Sequence, residues 1–181
     1  AGNNPPNQWD DFLPLRFRND PWFRSSKQNY PWSPSGPNPD GFPFSGVPGL
    51  PHENDWGSLK IPDADYDDAR SAAYAIKFLQ AKQEKPFFLA CGIFRPHLPW
   101  YVPGKYFDLY PLDEIVVPKV PDNDLADLPA AGLALAAARR SDLITINNAG
   151  KRKEAIQAYL ASISYADAQL GNEKELMQKL R

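Results

Sequence analysis

Between Pro86 and Pro96 the chain reads FFLACGIFR, and from Phe87 to Phe94 it carries no charge. A run this short does not cross a membrane, and the prolines that bracket it, each lacking a backbone donor, limit its extension as a regular element. It therefore reads as a strand buried on both faces, of the kind found inside a parallel sheet. Arg95, Pro96 and His97 follow at once. Open α/β sheets bind ligands beyond the carboxyl ends of their strands, so a guanidinium and an imidazole leaving such an end mark the first candidate site.

Composition sets the outer bounds. A chain of 181 residues with 43% hydrophobic content buries one core, most simply as one domain or a large piece of one. A net charge of -2 and a pI near 5.7 argue against a nucleic-acid partner, because neutralising phosphates takes a clustered basic excess. No apolar run approaches the length of a membrane span, and with Ala1 as its first residue the sequence either lacks a signal peptide or does not include it. The single cysteine, Cys91, builds no disulfide framework. Lying inside the apolar run without a C-x-x-C partner, it reads as a small core residue, and no metal-ligating set is apparent.

Proline is the unusual count: 20, with twelve at or before Pro62. The stretch Pro31 to Pro51 blocks both helix and central strand. Yet Trp9, Phe12, Phe17, Trp22, Phe23, Tyr30, Trp32, Phe42 and Phe44 are too many rings for a solvated linker. Residues 1–62 therefore read as a long irregular Pro-rich segment laid over a larger core, with its aromatics as anchors. Arg16, Arg18, Arg24 and Lys27 make it mildly basic, which a solvated face explains more simply than a subsite for an anionic glycan.

From Asp63 the pattern turns helical. Asp65 is placed to cap a helix whose apolar stripe is Ala69, Ala72, Ala73, Ile76 and Leu79, ending before Pro86. Helix and following strand form half of a βαβ layer. Ile115 to Val117 reads as a short strand, Ala130 to Ala138 as a short helix followed by a loop. A last long helix starts near Lys151, continues through Gly171, and presents Ile156, Tyr159, Leu160, Ile163, Asp167 and Leu170 on one face. The acidic pairs Asp67-Asp68 and Asp113-Glu114 need no role beyond capping. His52, in a Pro-rich loop, reads as a surface residue. One confident strand does not satisfy its own backbone groups, so its neighbours are expected from outside this chain.

Several ordered segments together carry a resemblance: KPFFLACGIFRPHLPWYVPGKYFDLYPLDEIVVP from Lys85, Asp124 to Pro129, KEAIQAYLASISYADAQLG from Lys153, with QWDDF at Gln8 and DWG at Asp55. In these the chain resembles the sulfatase family, in its iduronate-2-sulfatase-like branch. The resemblance implies an α/β fold, the alkaline-phosphatase-like sandwich, of which residues 1–181 would be the central portion: 1–62 as the irregular segment, 63–181 as the helix-strand-loop-helix part of the core. It implies hydrolysis of a sulfate ester, on a sulfated carbohydrate or a small ester, with His97 contacting the sulfate, Arg95 adding positive charge, and Trp100 and Tyr101 lining the substrate mouth. It also implies a calcium ion and a formylglycine made from cysteine in a C-x-[PA]-x-R motif.

Here the sequence departs from the family. Cys91 to Arg95 matches that motif only at its ends, with Ile93 where Pro or Ala belongs, and the calcium-binding aspartates have no counterpart. Nucleophile and metal ligands are therefore expected in flanking parts of the same domain. The alternatives are a non-catalytic remnant that binds glycans or a partner, and a phosphate- or phosphonate-ester hydrolase on the same fold. Members of the family are usually exported or lysosomal; the chain itself shows no address.

Overall fold

In the computed structural model of the chain, the residues described are 9–11, 13, 43–51, 54–59, 61–121, 123–139 and 141–179. The proposed aromatic anchors Phe12, Phe17, Trp22, Phe23, Tyr30, Trp32 and Phe42, the cations of the N-terminal segment, and His52 lie outside them.

A short parallel ladder joins β1, Trp56–Gly57, to β2, Trp100–Tyr101, with Trp56 opposite Trp100 and Gly57 opposite Tyr101. Parallel strands need a crossover, and this one carries α1, Asp67–Gln80. Gly57 is required at its position: its φ is +149°, and a Cβ there would stand 2.7 Å from Cβ of Phe44. Without that Cβ, Phe44 closes over the ladder, its ring edge-on to Tyr101 at 5.6 Å.

A 3-10 turn at Asp63–Asp65 precedes α1. Asp65 therefore does not cap the helix; Tyr66 holds the N-cap position and makes no side-chain cap. Its hydroxyl is instead committed to Leu59, accepting from the backbone N–H at 3.1 Å and donating to the carbonyl at 3.2 Å. The buried face of α1 is Asp68, Ala72, Ala75 and Leu79, so Ala75 replaces the expected Ala73, which is exposed.

After β2 come α2, Gly104–Phe107, then α3, Ala130–Arg139, and α4, Ser141–Asn148. The expected helix over 130–138 forms, but α4 follows where a loop was expected. Ile115 to Val117 is not a strand: Ile115 is buried while Val116 is 82% exposed. The long C-terminal helix α5, Arg152–Lys179, does run through Gly171. Among the described residues nothing lies within 4 Å of a Cβ placed there.

The face of α5 turned to the core is the small-residue one: Ala155, Ala158, Ala161, Ser162, Tyr165, Ala166 and Gln169. Tyr159, Ile163 and Leu170, from the face that the periodicity picks out, are exposed. Alanines let α1 and the ladder approach closely, as ridges settle into shallow grooves. Two clusters result, one of Leu59, Tyr66, Tyr101, Val102, Ala161 and Tyr165, the other of Val47, Leu50, Trp56, Ala155 and Ala158.

The largest correction falls on the run from Phe87 to Phe94. Among the described residues the sheet consists of β1 and β2, and this run does not join it. Phe87 is 51% and Phe88 81% exposed, with Phe87 edge-on to Phe78 at 5.1 Å and Phe88 6.3 Å from Trp9. The physical reason is the accounting noted above: a strand is buried on both faces only when neighbours flank it. Arg95 and His97 therefore lead into β2 instead of leaving a sheet strand. No helix among the described residues is long and apolar enough to cross a membrane.

Candidate functional site

The loop from Phe94 to Tyr101 is fixed at both ends. At its entry the backbone N–H groups of Phe94 and Arg95 donate to Asp68, at 2.7 Å to Oδ1 and 3.0 Å to Oδ2. Asp68 stands in the first turn of α1 and is 3% exposed. At its exit the Trp100 N–H donates to the Asp55 carbonyl at 3.0 Å, and the Tyr101 hydroxyl donates to Asp55 Oδ2 at 3.0 Å. The same fully buried carboxylate accepts from the N–H groups of Phe44 and Ser45 at 2.8 and 3.0 Å. Arg95 joins the two ends, its Nη2 donating to the Tyr101 carbonyl at 3.3 Å.

His97 sits at the exposed tip. Its N–H closes a turn onto the Phe94 carbonyl at 3.0 Å, and its ring lies 4.6 Å from that of Phe94. Nδ1 is 2.6 Å from the Leu98 carbonyl oxygen. A carbonyl only accepts, so Nδ1 carries the proton in this contact. Nε2 then faces outward, as an acceptor in the neutral ring and as a donor once the ring is protonated.

The other predicted site residues divide by depth. Arg95 is 6% exposed, its guanidinium 5.4 Å from the centroid of the Phe94 ring. Tyr101 is 1% exposed and lies in the core, not at a surface. Burial, and then the Asp55 carboxylate, push its phenol well above the ordinary range, with Arg95 opposing. Tyr165 is shifted the same way, by burial and then by Asp68, and its hydroxyl accepts the Ala69 N–H at 3.0 Å. Trp100 is half-buried; its Nε1 donates to the Pro96 carbonyl at 2.8 Å, and its ring lies 5.4 Å from Tyr159 and 6.5 Å from Trp56. His97 and Trp100 thus reach the surface of one loop, with Arg95 and Tyr101 beneath it.

Sequence reasoning missed both aspartates. Asp68 was assigned a capping role, and Asp55 entered only as part of DWG; the signal available was an acid beside an apolar stripe, which does not distinguish a cap from a buried acceptor. Cys91 is half-buried, with Sγ 3.8 Å from the Ser71 carbonyl.

The loop presents an exposed imidazole beside a short β-α-β ladder, and the family model for sulfatases matches residues 17–180. The chain belongs to the sulfatase family. It is 39% identical over 123 residues to a protein named sulfatase from Formosa agariphila, covering 65% of this chain and 23% of that one. It is 31% identical over 128 residues to human iduronate 2-sulfatase, covering 62% and 22%, and 30% identical over 136 residues to the mouse protein, covering 67% and 24%. The chain thus spans about a quarter of the length of these curated relatives.

The family generally uses calcium and a formylglycine. The donor sets here do not fit either group: among the described residues no three His, Cys, Asp or Glu side chains cluster to hold a metal ion. Asp55 and Asp68 spend their oxygens on backbone N–H groups and a phenol, and Cys91 lacks the Pro or Ala of the motif at position 93.

Proposed function

We propose that residues 1–181 are the central portion of a sulfatase catalytic domain that hydrolyses a sulfate ester, on a sulfated carbohydrate or a small ester. In this reading 1–62 is its irregular surface segment and 63–181 part of its core. The observation that carries this is His97: an exposed imidazole on a loop anchored at both ends by buried carboxylates, in a chain of the sulfatase family. Because Nδ1 is engaged by Leu98, His97 donates from Nε2 as an imidazolium, to a sulfate oxygen or to the bridging oxygen as charge develops on the leaving alcohol. Arg95 acts from beneath, adding positive potential in a region of low dielectric without reaching solvent. Trp100 offers a ring face at the mouth of the site, and Tyr101 holds the loop from below through Asp55.

Nucleophile and calcium ligands belong, in this reading, to flanking parts of the same domain. The exposed apolar run beginning at Phe87 supports it, since that run has the composition of a central strand and gains neighbours only from elsewhere. In the full-length protein, His97→Ala lowers kcat for a sulfated monosaccharide, whose leaving alkoxide needs the proton, by roughly a hundredfold, the scale of a lost general acid, and leaves the circular dichroism spectrum unchanged. An unchanged kcat would reduce His97 to a structural residue.

A further inference from the structure

We propose that Asp68 is a positioning residue for His97, acting through the backbone of the loop and not on the substrate. The inference rests on the reading of His97 as the sulfate-ester contact.

Asp68 is an acid in the first turn of α1, where exposure to solvent would be the ordinary outcome. It is instead 3% exposed, with its two oxygens divided between consecutive N–H groups, Phe94 to Oδ1 and Arg95 to Oδ2. A carboxylate accepting two adjacent N–H groups fixes the plane of the peptide between them, and charge-assisted bonds of this kind are the strong ones. The bond from His97 N–H to the Phe94 carbonyl then hangs the imidazole from the residue that Asp68 holds. The ring of Phe94 lies tilted against that of His97, centroids 4.6 Å apart, so the side chain is referred to the same point.

The opposite end of the loop is tied independently, by Asp55 to Trp100 and Tyr101. Losing Asp68 therefore frees the entry of the loop while the ladder keeps its exit, and the consequence falls on where His97 points. Displacing a catalytic group by about 1 Å is enough to cost on the order of a hundredfold in rate.

A double-mutant cycle in the full-length protein, with a sulfated monosaccharide as probe, tests this. Asp68→Ala in the parent background lowers kcat by roughly ten- to a hundredfold and leaves KM within about twofold. In the His97→Ala background the same change lowers kcat by less than about twofold, because residues acting as one unit are not additive. Asp68→Asn keeps one acceptor oxygen and gives an intermediate loss; it runs the same cycle if Asp68→Ala does not fold. Equal losses in both backgrounds, with His97→Ala itself costly, would overturn this inference and leave the reading of His97 standing. A His97→Ala variant with parental kcat would overturn both.

Discussion

At the scale of single residues, the chain spends its buried charges on backbone geometry. Asp55 gathers two N–H groups and a phenol, Asp68 two N–H groups, and Arg95 a carbonyl. Each of these groups would be costly to bury without partners, and each fixes part of the loop that carries His97. Gly57 serves the same end by absence. Gly57→Ala places a methyl 2.7 Å from Cβ of Phe44 at a φ of +149°, and both clash and strain oppose it. The expected loss is about 2–4 kcal/mol, read as a fall in the urea midpoint at unchanged m-value. A variant as stable as the parent would mean that Phe44 moves aside freely.

Legibility at this scale was uneven. The exposure of His97 and the half-burial of Trp100 agree with residues flanked by prolines in an aromatic loop. The depth of Arg95 and Tyr101 was not legible, because a cation or a phenol reads as solvent-facing until the partner that satisfies it is known. Asp68 stands 27 positions from the Arg95 N–H it accepts, and no local pattern encodes that separation.

At the scale of elements, small residues decide the packing. The periodicity of α5 was clear from the sequence, but two apolar faces compete on it, one of alanines and one of large side chains. The alanine face is the one used within this chain, because α1 and the ladder approach closely there. Hydrophobic size is thus a poor guide to which stripe is buried when the neighbour is a backbone. Ala161 has no exposed surface and adjoins Tyr66, Tyr101 and Tyr165. Ala161→Leu should therefore overpack the first cluster and cost about 1–3 kcal/mol, seen as a lower Tm, whereas an unchanged Tm would mean that α5 slides outward without loss. The helices at 130–139 and 152–179 were readable because long periodic segments are locally determined. The strand expected at 87–94 was not realised because a ladder is a property of two segments, and the composition of one does not supply the other.

At the scale of the whole molecule, membership in the sulfatase family joins a core that closes around α1, α5 and a short ladder to a run of exposed apolar residues that does not close. Exposed side chains such as Phe88, Val116 and Leu135, each more than 70% exposed, fit the proposal that the chain is the central portion of a larger domain. That is also why the family was legible from ordered segments while nucleophile and metal were not: those groups are proposed to lie in flanking sequence. The steady-state hydrolysis of 4-nitrophenyl sulfate by the isolated 181-residue chain, assayed beside the full-length protein, tests this most directly. The account predicts turnover by the full-length protein and none by the chain alone; turnover by the chain alone that survives repurification would contradict it.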